Sequence, residues 1–186
     1  MSEEKTTTTE EKKFKLLTIA NEQDVATLRK VSDTVAFVLG DNSGQLYIDK
    51  NTKELVQALK DYVMENDGLG MAAIQLGVAK RVFVMRKPFS SDQIITVINP
   101  KLIRGEGKSV GVENCFSVPN LPENVKGAKV QRQSRIFVDY TDEDGVAYKE
   151  EMFVGLDARI FLHELDHLDG KLLLDDPKFK GWASAY

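Results

Sequence analysis

The ten residues FLHELDHLDG, 161 to 170, hold both histidines of the chain. His163 and His167 stand four apart, with Glu164 directly after the first. Residues four apart share one face of a helix, so two imidazoles would project together with a carboxylate beside them. That spacing suits a divalent metal with a general base next to it. Two histidines on a core helix can also be ordinary packed residues, but here no histidine is used anywhere else. Two side chains do not hold a catalytic metal, so the fold must bring a third ligand to this helix.

The remaining composition is that of a globular protein. Of 186 residues, 42% are hydrophobic and 29% charged, enough for one domain with a core and a tail. A net charge of −4 gives no electrostatic reason to expect nucleic acid or an acidic membrane as partner. No apolar run approaches the ~20 residues of a membrane span. The single cysteine excludes an intrachain disulfide. These features point to a soluble, cytoplasmic protein and are silent on chemistry.

Residues 1 to 13, MSEEKTTTTEEKK, are charged and Thr-rich, with no apolar residue after Met1. Such a segment cannot bury enough surface to offset its ordering entropy, and a disordered tail is expected. It lacks the apolar core of a signal peptide. Residues 14 to 186 are expected to form one catalytic domain. DVATLRKVSD reads as a short helix or turn, and GDNSGQLYIDKN as a surface loop. The stretch 52 to 67 places Leu55, Leu59, Tyr62 and Val63 on one helical face, with Thr52 as N-cap. Strands are expected at 81–85, 93–100, 128–133, 135–142 and 146–155, the last two joined by an Asp-Gly hairpin turn. A final helix from about Asp157 to Leu168 stops at Gly170. This order reads as α+β, with the last helix packed on an antiparallel-rich sheet.

The extended motif H-E-x-x-H-x-x-G-x-x-H would supply a downstream ligand, but its last position is Leu173. No glutamate follows His167, and Asp169, Asp175 and Asp176 lie in the immediate exit from the helix. The ligand should therefore lie upstream, where Cys115 in GVENCFSVPN is the one soft candidate. A lone cysteine is most often a small buried hydrophobe. With two histidines, however, it makes a recognised catalytic set that leaves one position open. A third stretch, GLGMAAIQLG from 68 to 77, superficially fits a dinucleotide fingerprint. Here a helix precedes and a strand follows, the reverse of what that fingerprint needs. The glycines instead let backbone approach a ligand closely, with the Gln75 amide nearby.

Taken together, GLGMAAIQ, ENCFS and HELDH resemble the three ordered motifs of the peptide deformylases, G-x-G-hydrophobic-A-A-x-Q, E-G-C-hydrophobic-S and H-E-x-x-H. The likeness runs from about residue 15 to 175. It implies antiparallel-rich sheets packed around a central helix that carries H-E-x-x-H. It implies Cys115, His163 and His167 as metal ligands, Glu164 as general acid/base, and Gln75 with the backbone N–H of Phe116 as oxyanion donors. Leu69, Gly70, Glu113, Leu156, Arg159 and Ile160 would bind substrate. Further implications are Fe(II) as native ion, replaceable by Zn(II) or Ni(II), and N-formyl-methionyl nascent peptides as substrate. The chain would act as a monomer near the ribosomal exit tunnel.

Three departures from the family pattern stand out. Asn114 replaces a usual glycine, which could strain the turn carrying Cys115. No arginine follows the second motif before Lys126, and DDPKFKGWASAY is too short for a long C-terminal helix. Two other readings stay open at this point: an H-E-x-x-H endopeptidase, and a relative that binds metal or formylated peptide without turnover.

Overall fold

The structure, a computed structural model, describes residues 14–40, 44–87, 93–175 and 178–185. The expected N-terminal tail, 1 to 13, lies outside the described residues. In chain order the elements are α1 (Glu22–Leu28), β1 (Phe37–Leu39), β2 (Leu46–Ile48), α2 (Lys50–Glu65), β3 (Gly70–Ala72), a 3₁₀ turn (Ala73–Leu76) and β4 (Val82–Arg86). There follow β5 (Ile94–Glu106), β6 (Ser109–Glu113), β7 (Val125–Arg132), β8 (Arg135–Thr141), β9 (Ala147–Val154), α3 (Gly155–Leu168) and β10 (Phe179–Ser184). Among the described residues the strands form a five-stranded sheet ordered β3-β4-β5-β8-β9, a three-stranded sheet ordered β10-β7-β6, and the β1-β2 pair. Every pairing within these sheets is antiparallel. The α+β expectation, sheets around a helix carrying H-E-x-x-H, matches this architecture.

The five-stranded sheet is covered on both faces, which explains why β4 reads as an unbroken apolar run rather than an alternation. Phe83 and Met85 face a core shared with Phe161, Leu165 and Leu168 of α3. Val82 and Val84 face a second core shared with Leu55, Leu59 and Val63 of α2. The predicted apolar face of α2 is thus correct except for Tyr62, which is partly buried at its margin. Its N-cap is corrected: the cap is Asp49, whose side chain accepts from the Thr52 N–H at 2.9 Å. Thr52 occupies the third helical position, the one whose N–H a cap receives.

Other expectations needed adjustment. The stretch 40 to 51 is not wholly loop, because Leu46–Ile48 pairs with Phe37–Leu39. The strand expected at 93–100 continues to Glu106, past two register shifts against β8. Besides β1 and β2, three strands had no sequence signal. β3 is short and starts at a glycine, β6 carries Gly111 at its centre, and β10 contains Lys180 and Gly181.

Nearly all of α3 is buried, from Ala158 to Leu165 and again at His167 and Leu168. A helix buried on all sides must satisfy a different layer on each face. The face carrying Ala158, Phe161, Leu165 and Leu168 seals the five-stranded sheet. The opposite face, carrying Arg159, His163 and His167, is left for the three-stranded sheet and the turn after β6. Gly170 ends the helix at φ +70, a left-handed conformation that favours glycine. A Cβ there would also collide with the Arg29 carbonyl oxygen.

Phe161 anchors the sealing face, fully buried and edge-on to Phe83 with ring centroids 5.1 Å apart. Phe161→Ala is expected to lower unfolding free energy by about 3–5 kcal/mol, read from urea denaturation midpoints. A loss below about 1 kcal/mol would show that α3 is not held through this ring.

Candidate active site

α3 presents Arg159, His163 and His167 at successive four-residue intervals on one face, and all three are buried. Opposite them, the chain leaves β6 through a turn closed by the Val118 N–H donating to the Cys115 carbonyl at 2.9 Å. That turn presents the thiol to the helix, with Cys115 Sγ 3.2 Å from His167 Nε2. The potential ligand atoms of Cys115, His163 and His167 lie within 4.8 Å of one another. The downstream aspartates are engaged elsewhere: Asp169 with Arg81 at 3.0 Å and Asp175 with Arg29 at 2.8 Å. Asp176 lies outside the described residues.

These donors suit a soft or borderline cation. Burial alone would push the Cys115 thiol up, but His167 and His163 outweigh it and hold it well below its usual range. Burial likewise opposes charge on His163, while Cys115, Glu113 and Glu164 raise it well above the usual imidazole value. A thiol favoured as thiolate beside two imidazoles is a donor set that suits a metal ion.

Glu113, the last residue of β6, organises the cluster. Its Oε2 lies 2.9 Å from His163 Nδ1, which leaves Nε2 of that ring to face the thiol side. The same carboxylate accepts from Arg132 Nε at 2.6 Å, Arg132 Nη2 at 2.8 Å and Arg159 Nη1 at 2.7 Å. Burial would push Glu113 up, but His163 and Arg132 hold it well below the carboxylate range. Arg132 continues to Asp166 on α3 at 2.8 Å. Glu113 was expected among the substrate-binding residues. It borders the cavity, but its carboxylate is directed at these partners.

A cavity of about 390 Å³ opens against the cluster. Its lining includes Leu69, Gly70, Gln75, Glu113, Cys115, Phe116, Leu156, Arg159, Ile160, His163 and Glu164. Every site residue expected from the sequence except His167 therefore lines the cavity, and His167 sits behind Cys115. Leu69 and Leu156 lie at the mouth, 42% and 40% exposed, whereas Ile160 is buried. Gln75 is pinned: its Oε1 accepts from the Ala72 N–H at 2.9 Å and its Nε2 donates to Ser117 Oγ at 3.1 Å. Ser117, buried within the quoted ENCFS motif, was assigned no role from sequence.

The glycines of GLG have specific neighbours. A Cβ on Gly70 would lie 2.6 Å from Glu164 Oε1, and one on Gly68 would lie 2.5 Å from the Phe116 ring. Glu164 itself is buried, and its Oε2 has no hydrogen-bond partner among the described residues. Burial pushes its carboxyl up to about 7, against the opposing pull of His163 and His167. Asn114 adopts no positive φ, so the strain its presence suggested is absent from the turn.

Residues 17–180 match the family described as Polypeptide deformylase. The chain belongs to that family. It is 37% identical over 131 residues to a peptide deformylase of Finegoldia magna, covering 69% of this chain and 75% of that one. Its fold matches the peptide deformylase of Thermotoga maritima with a TM-score of 0.70 at 28% identity, covering 87% of this chain and 95% of that one. A peptide deformylase of Acinetobacter baumannii crystallised with Met-Ala-Ser bound matches with a TM-score of 0.67 at 25% identity, covering 87% and 96%. As a member of the family, the chain is a metal-dependent hydrolase, a peptide deformylase in activity. Described helices include none long and apolar enough to cross a membrane.

If Cys115, His163 and His167 are the donor set that their convergence suggests, Cys115→Ala should abolish stoichiometric zinc binding. Elemental analysis after reconstitution and gel filtration reads this directly. Retention of one equivalent of zinc would place the third ligand elsewhere.

Proposed function

We propose that the chain hydrolyses the formyl group from N-formyl-methionyl peptides, with Cys115, His163 and His167 holding the metal and Glu164 carrying protons. The observation that carries this reading is the buried Glu164 carboxylate, whose Oε2 has no hydrogen-bond partner among the described residues, beside the three converging donors. A bound ion would supply Lewis acidity to the formyl oxygen and lower the pKa of the attacking water. The thiolate donor favours Fe(II) or Zn(II) over Mg(II) or Ca(II), and Fe(II) is the native ion in this reading, with Zn(II) and Ni(II) as replacements.

Glu164 has the properties of a proton carrier. Its pKa of about 7 makes it both a competent base and a competent acid near neutrality. It takes a proton from water as the new C–O bond forms and delivers it to the amine nitrogen as the C–N bond breaks. Gln75, with its carbonyl end tied to Ala72, has its amide nitrogen aimed across the Cys115 turn at 3.5 Å from Sγ. Together with the Phe116 N–H it would meet the charge growing on the formyl oxygen, one such donor being worth ~3 kcal/mol.

The cavity accounts for the first side chain. Leu69, Gly70, Leu156 and Ile160 offer an apolar wall suited to an unbranched methionine. Among the described residues β3 and β6 end their sheets, so each offers a sheet edge beside the cavity against which an extended peptide can add as a strand. Met-Ala-Ser bound to the Acinetobacter relative fits this class of ligand. In the same reading residues 14–186 are the catalytic unit. It acts as a monomer in the cytoplasm on nascent chains near the ribosomal exit.

Glu164→Gln keeps the shape of the side chain but removes the proton acceptor. The variant should retain its metal and lose ~10²–10⁴-fold in formate release from a formyl-methionyl tripeptide, assayed anaerobically with the iron form. Turnover within a few-fold of the parent would assign the carboxylate a structural role and overturn the mechanism.

A further inference from the structure

The guanidinium of Arg159 lies in a cradle built by one face of β6. Side chains at 109, 111 and 113 point to the same side of that strand. Arg159 Nη2 donates to Ser109 Oγ at 3.0 Å and to the Ser109 carbonyl at 3.1 Å. Nη1 donates to Glu113 Oε1 at 2.7 Å and to the Val130 carbonyl of β7 at 2.9 Å. Between Ser109 and Glu113 stands Gly111, and a Cβ there would lie 2.7 Å from Arg159 Cζ. The guanidinium thus packs flat on the glycine and bonds to residues on both sides of it.

This arrangement joins the Glu113–His163 and Arg132–Asp166 contacts in tying α3 to the three-stranded sheet. α3 belongs by its apolar face to the five-stranded sheet. β6 is held by β7 along one edge and is open to the cavity along the other. Val112 and Glu113 of β6 and Arg159 and Ile160 of α3 all line the cavity, so a shift of β6 against α3 reshapes it. Arg159 spans the gap between the two elements with four acceptors. Its planar fork fixes distance and angle together, which a lysine ammonium cannot do.

From this geometry we propose that the Arg159–Gly111 interlock is a specificity device. It fixes the cavity wall so that an unbranched side chain is accepted and a bulky one refused. Arg159 is then a positioning residue, acting through β6 rather than by touching the reacting atoms. This inference rests on the deformylase reading and adds to it the element that sets the width of the pocket.

The interlock can be broken from either side. Arg159→Met keeps the stem and removes the donors, and Gly111→Ala keeps the donors and displaces them. Formate release would be measured for formyl-Met and formyl-Phe tripeptides with the metal-loaded parent, both variants, the double variant and Arg159→Lys. Binding of the matching deformylated tripeptides would be measured by calorimetry. The expected result is a fall of about ten-fold or more in Met-over-Phe selectivity in each single variant. The fall should be carried by KM and by tripeptide affinity rather than by kcat. The double variant should be no worse than either single one, since both break one contact, and Arg159→Lys should not restore selectivity. Parental selectivity in both single variants, or losses confined to kcat with loss of metal, would overturn the inference. Failure of the parent itself to release formate from either peptide would sink the deformylase reading, a result distinct from those.

Discussion

A single buried carboxylate joins the parts of this molecule that chemistry requires to be together. Glu113 is 7% exposed, and it accepts hydrogen bonds from Arg132 on β7 and Arg159 on α3 while holding the Nδ1 side of His163. An isolated carboxylate in that position would be costly to ionise. With two guanidiniums and an imidazole around it, the charge is matched on every side. Buried ion pairs of this kind are poor sources of net stability against an apolar core. Their value here is geometric, because one group fixes the orientation of the His163 ring and bridges two layers at once.

The glycines are best understood from what they touch. Gly70 admits the Glu164 carboxylate, Gly68 admits the Phe116 ring, and Gly111 admits the Arg159 guanidinium. In each case the missing Cβ belongs to a strand or turn, and the incoming group is a side chain of the site or its support. The backbone therefore forms the walls at close range, and the functional groups fill the space between. Backbone walls at this range would suit the proposed reaction, in which a carboxylate and two donors are held in fixed relation.

What was legible from sequence follows the range of the interactions involved. HELDH could be read because its geometry is local to one helix, and Phe161, Leu165 and Leu168 in and around it carry a helical apolar period. Cys115 could be reached because Leu173 and the exit aspartates made poor alternatives. The tie from Arg132 to Glu113 was illegible, since it joins residues 19 apart through the pairing of β6 with β7. Strand β10 was missed for a related reason: Phe179–Ser184 pairs with β7 through a register shift and has no clean alternation. Asp49 was passed over as N-cap because Thr52, three residues on, offered a side chain of equal aptitude.

The central claim is that Glu113 positions His163 for the metal, and zinc affinity of Glu113→Gln tests it most directly. Glutamine preserves the size of the side chain while losing the charge that both arginines and the imidazole address. Chelator competition on the folded variant should give a dissociation constant raised about 10–100-fold over the parent, as expected for loss of the group that orients a ligand ring. A folded Glu113→Gln protein that binds zinc as tightly as the parent would contradict the account.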